Sequence, residues 1–273
     1  MYKYTLTAGV RSDVGNVRSN NEDNYYICGK YRADVSENNS KAQCQVTDRR
    51  ALFSVCDGMG GVEFGEIASL IAVSNMRYAK KADFHKISGE DVQIINKKVG
   101  EIGLEKCSGR MGSTLSNLYI DNGCAIACNL GDSRTYLLRD NILTKLSEDH
   151  DEATRLVKMG IITPEQALTD NRRHQLTQFL GMLEDEIIPE PYYSDEISIK
   201  EGDRFLICSD GVSDSILDEE IADYLKEPLS AQEMAEKLVD EAISRGSKDN
   251  CTALVVDVKK KPVLLYEIYF FDK

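Results

Sequence analysis

The sequence predicts an α+β protein in which antiparallel sheets carry helices on their outer faces. Segments rich in Val, Ile, Tyr and Thr recur along the chain and are bounded by Gly, Asn or Asp, a pattern typical of strands. Short turns join several neighbouring segments, which favours antiparallel pairing over repeated crossovers. Two longer segments repeat their apolar residues with the period of an amphipathic helix.

The predicted strands are short and spread over the whole chain. They are Tyr4–Val10, Tyr25–Cys28, Ala51–Cys56, Thr114–Ile120, Cys124–Asn129, Thr135–Arg139, Arg204–Cys208 and Cys251–Val258. Asp140 and Asn141 both tolerate turn conformations, so they predict a tight hairpin turn after Leu138. Lys30–Arg49 is polar, and we interpret it as a surface loop or an extended hairpin.

Helical periodicity is clearest in Glu63–Ala82 and Ser230–Arg245. The second of these opens with Ser-x-x-Glu, the capping-box signature of a helix start. Weaker patterns predict helices at Gly89–Cys107 and Glu148–Met159. The chain therefore alternates strands with a small number of helices, as expected for helices that cover sheets.

The composition is that of an acidic globular chain. Its 273 residues include 33 Lys and Arg against 46 Asp and Glu, which gives a net charge of −13. A nucleic-acid reader or a peripheral membrane anchor needs a basic face, so both classes are disfavoured. No export signal or membrane-spanning run is visible, and the eight cysteines lack metal-site spacing. We interpret them as reduced thiols of a cytoplasmic protein.

Two segments depart from the main pattern. Asp149–Pro191 interrupts the strands with a short helix, a Thr-Pro break and the basic run Arg172–His174, so we interpret it as an appended flap. The basic run could contact a phosphoprotein, but a solvated charge pair is the simpler interpretation. Residues 259–273 are interpreted as a tail or an additional edge strand.

Carboxylates are concentrated in turns next to predicted strands. The four turns are Arg18–Asp23, Asp57–Gly61, Ser209–Gly211 and Lys248–Asn250. A carboxylate at a strand end is held by the sheet, and a neighbouring glycine lets a main-chain carbonyl approach an ion. Several acids without His or Cys form the ligand set of Mg²⁺ or Mn²⁺ rather than Zn²⁺. Each turn alone also fits an ordinary solvent-facing turn, so their joint order carries the prediction.

Eight short motifs follow one another in a fixed order. They are Asp13-x-Gly15-x-Val17-Arg18-x-x-Asn21-Glu22-Asp23-Asn24, Val55–Gly61, Gly112–Leu115, Asn129–Arg134, Leu146–His150, Leu176–Gly181, Cys208–Asp214 and Gly246–Thr252. In this order they resemble the metal-dependent protein phosphatase 2C (PPM) family of serine/threonine phosphatases, particularly its bacterial type. The resemblance implies an αββα four-layer sandwich of two mainly antiparallel sheets flanked by helices. It also implies a catalytic domain over residues 1–258 with a flap at about 146–191, followed by the 259–273 tail or edge strand.

The resemblance further implies a centre of two Mn²⁺ or Mg²⁺ ions, joined by a weaker third ion in many bacterial members. The implied metal-binding residues are Glu22, Asp23, Asp57, Gly58, Asp132, Asp210 and Asp249. Asp57 would bridge the two main ions, and the third would lie between Asp132 and Asp210. Arg18 matches the arginine that holds the substrate phosphate.

The other implied ligands divide between the two main ions. Asp210 and Asp249 would complete one set, while Glu22 and the carbonyl group of Gly58 would serve the other. Asp23 would support this second set. Two such ions can activate a water molecule for in-line attack on phosphorus, and a bidentate arginine can stabilise the phosphoryl charge. The implied reaction is hydrolysis of phosphoserine and phosphothreonine in proteins.

Two positions depart from the family pattern. Met59 stands where animal-type members carry a histidine, the proposed general acid, and a thioether has no proton to donate. Gln178 and Phe179 stand where bacterial relatives commonly have Arg and then Ala, in the flap associated with substrate choice. His150 and His174 are alternative acids, although we interpret both as surface residues.

Three functions fit these observations to different degrees. An active phosphatase would act on a phosphorylated protein and oppose a serine/threonine kinase. A regulatory phosphatase-fold binding module with weak activity would be expected to lose some acids, whereas every mapped acid is present. A different di-metal hydrolase, such as a phosphodiesterase or nuclease, is disfavoured for a nucleic-acid substrate by the acidic charge. We therefore expect a phosphatase without nucleic-acid or membrane partners.

Overall fold

The structure is a computed structural model that describes residues 4–60, 64–79, 89–107, 111–183 and 188–261. Its strands are β1 (Tyr4–Asp13), β2 (Asn24–Ile27), β3 (Asn39–Thr47), β4 (Ala51–Cys56), β5 (Gly58–Gly60), β6 (Met111–Ser113), β7 (Leu115–Asp121), β8 (Cys124–Leu130), β9 (Arg134–Arg139), β10 (Ile142–Lys145), β11 (Tyr192–Tyr193), β12 (Ile197–Ser198), β13 (Arg204–Cys208) and β14 (Cys251–Lys260). Its α-helices are α1 (Gly65–Ala79), α2 (Gly89–Cys107), α3 (Glu152–Lys158), α4 (Pro164–Ala167), α5 (Asp210–Ser213), α6 (Asp218–Leu225) and α7 (Ala231–Ser244). Asn171–His174 form a 3₁₀ helix.

The strands form two large antiparallel sheets. The first has the order β10-β9-β13-β14-β1-β3, and the second has the order β11-β8-β7-β4-β2, with β12 also paired to β8. A small third sheet pairs β5 with β6. Strand β13 shows how the first sheet faces two cores: Phe205 and Ile207 point to one cluster, and Leu206 and Cys208 point to another.

Three hydrophobic clusters define the layers. Between the sheets, Leu6 and Phe205 of the first sheet pack with Phe53 of the second. Helices α1 and α2 cover the outer face of the second sheet, and helices α6 and α7 cover that of the first. This order of layers is the predicted αββα sandwich, and the fold class is confirmed.

One segment that the sequence predicts as a surface loop or an extended hairpin contains an edge strand. Within Lys30–Arg49, residues Asn39–Thr47 form β3 and pair with β1 at the edge of the first sheet. Alternate residues Ala42, Cys44 and Val46 pack against the core between the sheets, while the residues between them face outward. The surface-loop interpretation was therefore wrong for these residues, because polar residues of the outer face masked an apolar alternation.

Several predicted strand and helix boundaries differ from those in the structure or lie outside the described residues. Strand β14 continues to Lys260, where it still pairs with β1, and residues 262–273 lie outside the described part of the chain. The predicted ends of the Glu63–Ala82 helix, residues 63 and 80–82, also lie outside it. Helix α3 begins later than predicted, because the Asp151 side chain accepts a hydrogen bond from the Thr154 amide and caps it there.

Two smaller predictions are confirmed. Asp140 and Asn141 connect β9 to β10 with φ values of 52° and 64°, the left-handed conformation that a two-residue hairpin turn requires. Seven cysteines are free thiols, and four of these are buried: Cys56, Cys128, Cys208 and Cys251.

The core between the sheets should respond strongly to loss of volume. Phe205 is fully buried there, so Phe205→Ala should lower the free energy of unfolding by about 3–5 kcal/mol. Ile142 is 67% exposed on an edge strand, so Ile142→Ala should change it by less than about 0.5 kcal/mol. Urea unfolding followed by circular dichroism measures both. Similar losses in the two variants would contradict the assigned core.

Candidate metal centre

The predicted acids gather at one edge of the sandwich because the strands beside them pair in register. Asn24 of β2 pairs with Cys56 of β4, which places Asp23 beside Asp57. In the first sheet, β13 ends opposite the region in which β14 begins. This pairing brings Asp210, which follows β13, close to the turn before β14.

Glu22 and Gly58 face the same small space at the start of helix α1. The amide of Gly58 donates a hydrogen bond of 3.1 Å to the carbonyl oxygen of Glu22. A Cβ atom built on Gly65 would lie 2.5 Å from Glu22 Oε2 and 2.7 Å from the Gly58 carbonyl oxygen. Only glycine therefore fits at Gly65, and two oxygen atoms of the predicted ligand set converge beside it.

The backbone at Asp57 is held by Thr114. The Asp57 amide donates to Thr114 Oγ1 at 2.9 Å, and the Thr114 amide donates to the Asp57 carbonyl oxygen at 2.8 Å. Thr114 Oγ1 is also hydrogen-bonded to Ser133 Oγ at 2.7 Å. Ser133 adjoins Asp132, so this short chain of contacts links the Asp57 turn to the Asp132 turn.

The Asn250 side chain links the loop before β2 to the turn before β14 through hydrogen bonds. Its Oδ1 atom accepts a hydrogen bond from the Glu22 amide at 2.8 Å, and its Nδ2 atom donates to the carbonyl oxygens of Val14 and Asn20, each at 3.0 Å. A Cβ atom on Gly211 would lie only 2.0 Å from the Asn250 carbonyl oxygen, so the Asp210 turn lies directly against this residue. The predicted motif contained Asn250, but nothing in its spacing indicated this role.

Asp23 is fully buried behind the other acids. Its Oδ2 atom accepts a hydrogen bond from Ser209 Oγ at 2.7 Å. The carbonyl oxygens of Asn21 and Asp23 each accept from Arg32 Nη2 at 2.7 Å. Arg32 is only 2% exposed, and the polar sequence around it did not predict a buried arginine that binds two carbonyl oxygens. Asp23 therefore lies where it can support the ligands rather than face the cleft.

The acids raise one another's pKa values. Burial raises the pKa of Asp57 well above its ordinary range, and the nearby carboxylates, led by Asp23 and Asp210, raise it further. Burial and the charge of Asp132 do the same to the pKa of Asp210. Burial, and then the charge of Asp149, raise the pKa of Asp132 to about 7. Because each acid disfavours ionisation of its neighbours, the negative charge of the cluster exceeds the positive charge that nearby side chains supply.

Two buried oxygen atoms also lack hydrogen bonds. Asp23 Oδ1 and Asp210 Oδ1 have no hydrogen-bond partner among the described residues. Buried polar atoms are normally satisfied, so unpaired carboxylate oxygens in a cluster of repelling acids indicate a site for cations. The donor atoms are all oxygens, which suits Mg²⁺ or Mn²⁺. The residues present therefore fit the predicted ions.

Arg18 forms an ion pair with one of the predicted metal ligands. Its Nη2 atom donates to Asp249 Oδ2 at 2.6 Å, and its side chain is 52% exposed. The predicted phosphate-binding arginine is thus brought to the predicted metal ligands. The adjoining cleft has a volume of about 440 Å³, and Asp210, Lys248 and Asp249 are among its lining residues.

The segment predicted as a flap reaches the same cleft through Arg173 and His174. Arg173 Nη2 donates to Asp214, and its Nη1 donates to the Leu168 carbonyl oxygen at 2.8 Å. His174 Nδ1 lies 3.5 Å from Asp214 Oδ2. Ligand atoms of His174, Asp210 and Asp214 all lie within 4.8 Å of one another, so they could share a cation.

Two interpretations of flap residues need correction. The basic run is not a simple solvated charge pair, because Arg172 pairs with Asp170 at 2.6 Å whereas Arg173 crosses to Asp214. His150 is not a surface residue: it is 7% exposed, and its Nδ1 atom accepts a hydrogen bond from the Gly131 amide at 3.2 Å. Burial lowers the pKa of His150. Its contact holds the turn that carries Asp132.

Comparison with known proteins identifies the family. Residues 16–251 match the sequence model described as Protein phosphatase 2C. This chain belongs to the protein phosphatase 2C family. It is 30% identical over 261 residues to a serine/threonine phosphatase, stp, of Listeria welshimeri serovar 6b, which covers 92% of this chain and 96% of that one. It is also 30% identical over 259 residues to the protein phosphatase PhpP of Streptococcus pneumoniae serotype 2. That match covers 92% of this chain and 96% of PhpP.

Solved structures agree with the family assignment. The Mycobacterium tuberculosis serine/threonine phosphatase PstP/Ppp has a TM-score of 0.75 and 30% identity, covering 93% of this chain and 99% of that one. The catalytic domain of PstP in complex with two manganese ions has a TM-score of 0.72 and 29% identity. The match covers 94% of this chain and 99% of that one. The predicted enzyme class, a metal-dependent serine/threonine phosphatase, and its Mn²⁺ or Mg²⁺ cofactors are confirmed. Among the described residues, no helix combines the length and the apolar character needed to cross a membrane.

The raised pKa values predict how the metal-free protein responds to pH. The pKa of Asp23 is raised from 3.8 to about 6, by burial first, and that of Asp132 from 3.8 to about 7. The folded state therefore favours the protonated acids, and their contribution to stability is complete below pH 3.8 and is lost as pH rises to about 7. The melting temperature in EDTA should fall across this range, and Asp132→Asn should make the fall shallower. An equally steep fall in that variant would contradict the assignment.

The close approach at Gly65 predicts a specific effect on metal binding. Gly65→Ala would push the Glu22 carboxylate away from the Gly58 carbonyl oxygen and should weaken Mn²⁺ binding about 10- to 100-fold. Gly100 is a matched control, because a Cβ there would make only an ordinary contact of 3.4 Å with Leu183. Isothermal titration calorimetry compares the variants. Wild-type affinity in Gly65→Ala would show that these two oxygens do not bind the ion.

Proposed function

We propose that the acids of this cleft hold two Mn²⁺ or Mg²⁺ ions and that the enzyme uses them to hydrolyse phosphoserine and phosphothreonine in proteins. One observation supports this most directly. Acids from turns far apart in the chain converge at one edge of the sandwich, raise one another's pKa values and leave buried oxygens unpaired. Such a cluster is stable in its ionised form only with cations.

The roles of the ligands follow from their positions. Asp57 would be shared between the two ions, since its carboxylate lies in the field of acids from both sheets. Asp210 and Asp249 would bind one ion, and Glu22 with the Gly58 carbonyl oxygen would bind the other. The remaining members of the set are Asp23, as a buried support, and Asp132.

The chain's own groups complete the reaction. The ions, when bound, supply an activated water molecule and positive charge near phosphorus. Arg18 would orient the substrate phosphate through paired N–H groups. Met59 cannot protonate the departing serine or threonine oxygen. His174 lines the cleft and is the candidate donor of that proton.

A third ion would be held beside the main pair. Asp132 is the carboxylate that acts most strongly on Asp210, so the two are close enough to share it. Asp214 approaches the same side of Asp210 and lies within reach of that ion.

The biological setting is also part of this proposal. The enzyme would act in signalling, opposing a serine/threonine kinase, and would have neither nucleic-acid nor membrane partners. The net charge of −13 supports the exclusion of nucleic acid. Free thiols support a cytoplasmic location, because thiols stay reduced there.

Substitution of the acids tests the proposal. Asp57→Ala and Asp210→Ala should each lower Mn²⁺-dependent turnover of a phosphopeptide by about a hundredfold or more, because charge stabilisation of the transition state is lost. The far-ultraviolet circular dichroism spectrum should not change. Asp223→Ala is the matched control, because the Asp223 side chain is 79% exposed on α6 and its ion pair is with the neighbouring Lys226.

A substrate panel separates the alternatives. We expect EDTA-sensitive release of phosphate from a phosphopeptide, and little reaction with a nucleoside phosphate or single-stranded DNA. Preference for either nucleotide substrate would favour another di-metal hydrolase. Weak turnover of all three substrates by a protein that binds Mn²⁺ would favour a regulatory binding module.

A further inference from the structure

Arg18 and Asp249 form a direct ion pair between two residues with separate proposed roles. Arg18 Nη2 lies 2.6 Å from Asp249 Oδ2, a short charge-assisted hydrogen bond. The other carboxylate oxygen, Asp249 Oδ1, accepts a hydrogen bond from the Asn250 amide at 2.8 Å. Both oxygens of Asp249 are therefore engaged, one by Arg18 and the other by the backbone.

The guanidinium group also lies in the field of the other acids. Partial burial acts to lower the pKa of Arg18, but the charges of Asp249, Glu22 and Asp57 outweigh it and raise the pKa. These three carboxylates are the ones that the proposed function assigns to the two main ions. Arg18 therefore supplies positive charge in the region where the divalent ions would supply it.

The arginine can leave this position without unfolding its loop. Asn250 holds the backbone on both sides, through the carbonyl oxygens of Val14 and Asn20. The Arg18 side chain itself is 52% exposed, so core packing does not confine it. A backbone held by hydrogen bonds and an exposed side chain allow the guanidinium group to exchange one anionic partner for another.

We propose that Arg18 is an internal counter-ion, which neutralises Asp249 in the metal-free protein and is displaced when a divalent ion binds that carboxylate. The inference rests on the proposed function, which makes Asp249 a ligand. The ionic hydrogen bond between Arg18 and Asp249 breaks as the metal–carboxylate bond forms, and the freed guanidinium group turns to the substrate phosphate. Metal binding thereby makes the phosphate-binding arginine available, and by linkage phosphate binding favours the metal-loaded state.

Lys248 provides a matched control for this competition. It adjoins Asp249 in the chain and lines the same cleft, but its ammonium group forms no ion pair within the described residues. Lys248→Gln and Arg18→Gln each remove a single positive charge beside the centre. A general electrostatic effect on cation binding should therefore be similar in the two variants, whereas direct competition should appear only in Arg18→Gln.

Titration of the wild-type and variant proteins with Mn²⁺ alone, without any substrate, tests the proposal. Arg18→Gln should bind Mn²⁺ about threefold to fivefold more tightly, the range expected for removal of an exposed ion pair. Lys248→Gln should change the affinity less, and Arg18→Lys, which keeps a cation able to pair with Asp249, should stay close to wild type. Equal changes in the two Gln variants, or no change in Arg18→Gln, would overturn the proposal.

Thermal unfolding in EDTA gives an independent readout. Without its counter-ion the acid cluster repels itself more strongly, so metal-free Arg18→Gln should melt at a lower temperature than Lys248→Gln. Saturating Mn²⁺ should remove that difference, and persistence of the difference would overturn the proposal. If the wild-type protein fails to bind Mn²⁺ at all, the proposed function fails with it. If it binds Mn²⁺ but Arg18→Gln behaves like the control, only this inference fails.

Discussion

Repulsion among carboxylates at the edge of the sandwich is the constraint on which the rest of this structure depends. Asp57, Asp132 and Asp210 lie close enough to raise one another's pKa values, and buried oxygens of Asp23 and Asp210 lack hydrogen bonds within the described residues. An isolated protein domain gains nothing from such an arrangement. The two-sheet core must therefore supply the stability that keeps these acids together when cations are absent.

The scaffold achieves this through backbone positions rather than through the acids' own contacts. Register between β2 and β4 sets Asp23 beside Asp57, and Thr114 holds the Asp57 backbone from both its amide and its hydroxyl group. Asn250 then joins the β1–β2 loop to the start of β14. The turns that carry the carboxylate groups are thus held in place by rigid neighbours.

Much of the fold was predictable because it follows from short-range patterns. Alternating apolar residues indicated the central strands, and residues that tolerate positive φ indicated the turn at Asp140 and Asn141. Strand β3 was predicted only as part of a surface loop or an extended hairpin, because polar residues typical of a loop alternate with its apolar residues. Two contacts near the site were also not predicted: the hydrogen bonds of Arg32 to main-chain carbonyl oxygens, and the pairing of Arg173 with Asp214. No motif or periodicity in the sequence links the residues of either contact.

The sequence by itself determined the family and the enzyme class and predicted which acids form the site, because these inferences depend on residue types in a fixed order. Only the tertiary structure decided that Arg18 pairs with Asp249 and that Gly65 leaves room for two converging oxygens. It also decided that Arg173, in the segment predicted as a flap, pairs with Asp214. These features are distances between atoms whose residues lie far apart in the chain. Such distances arise from strand register and side-chain packing, and neither can be predicted from a short segment of sequence.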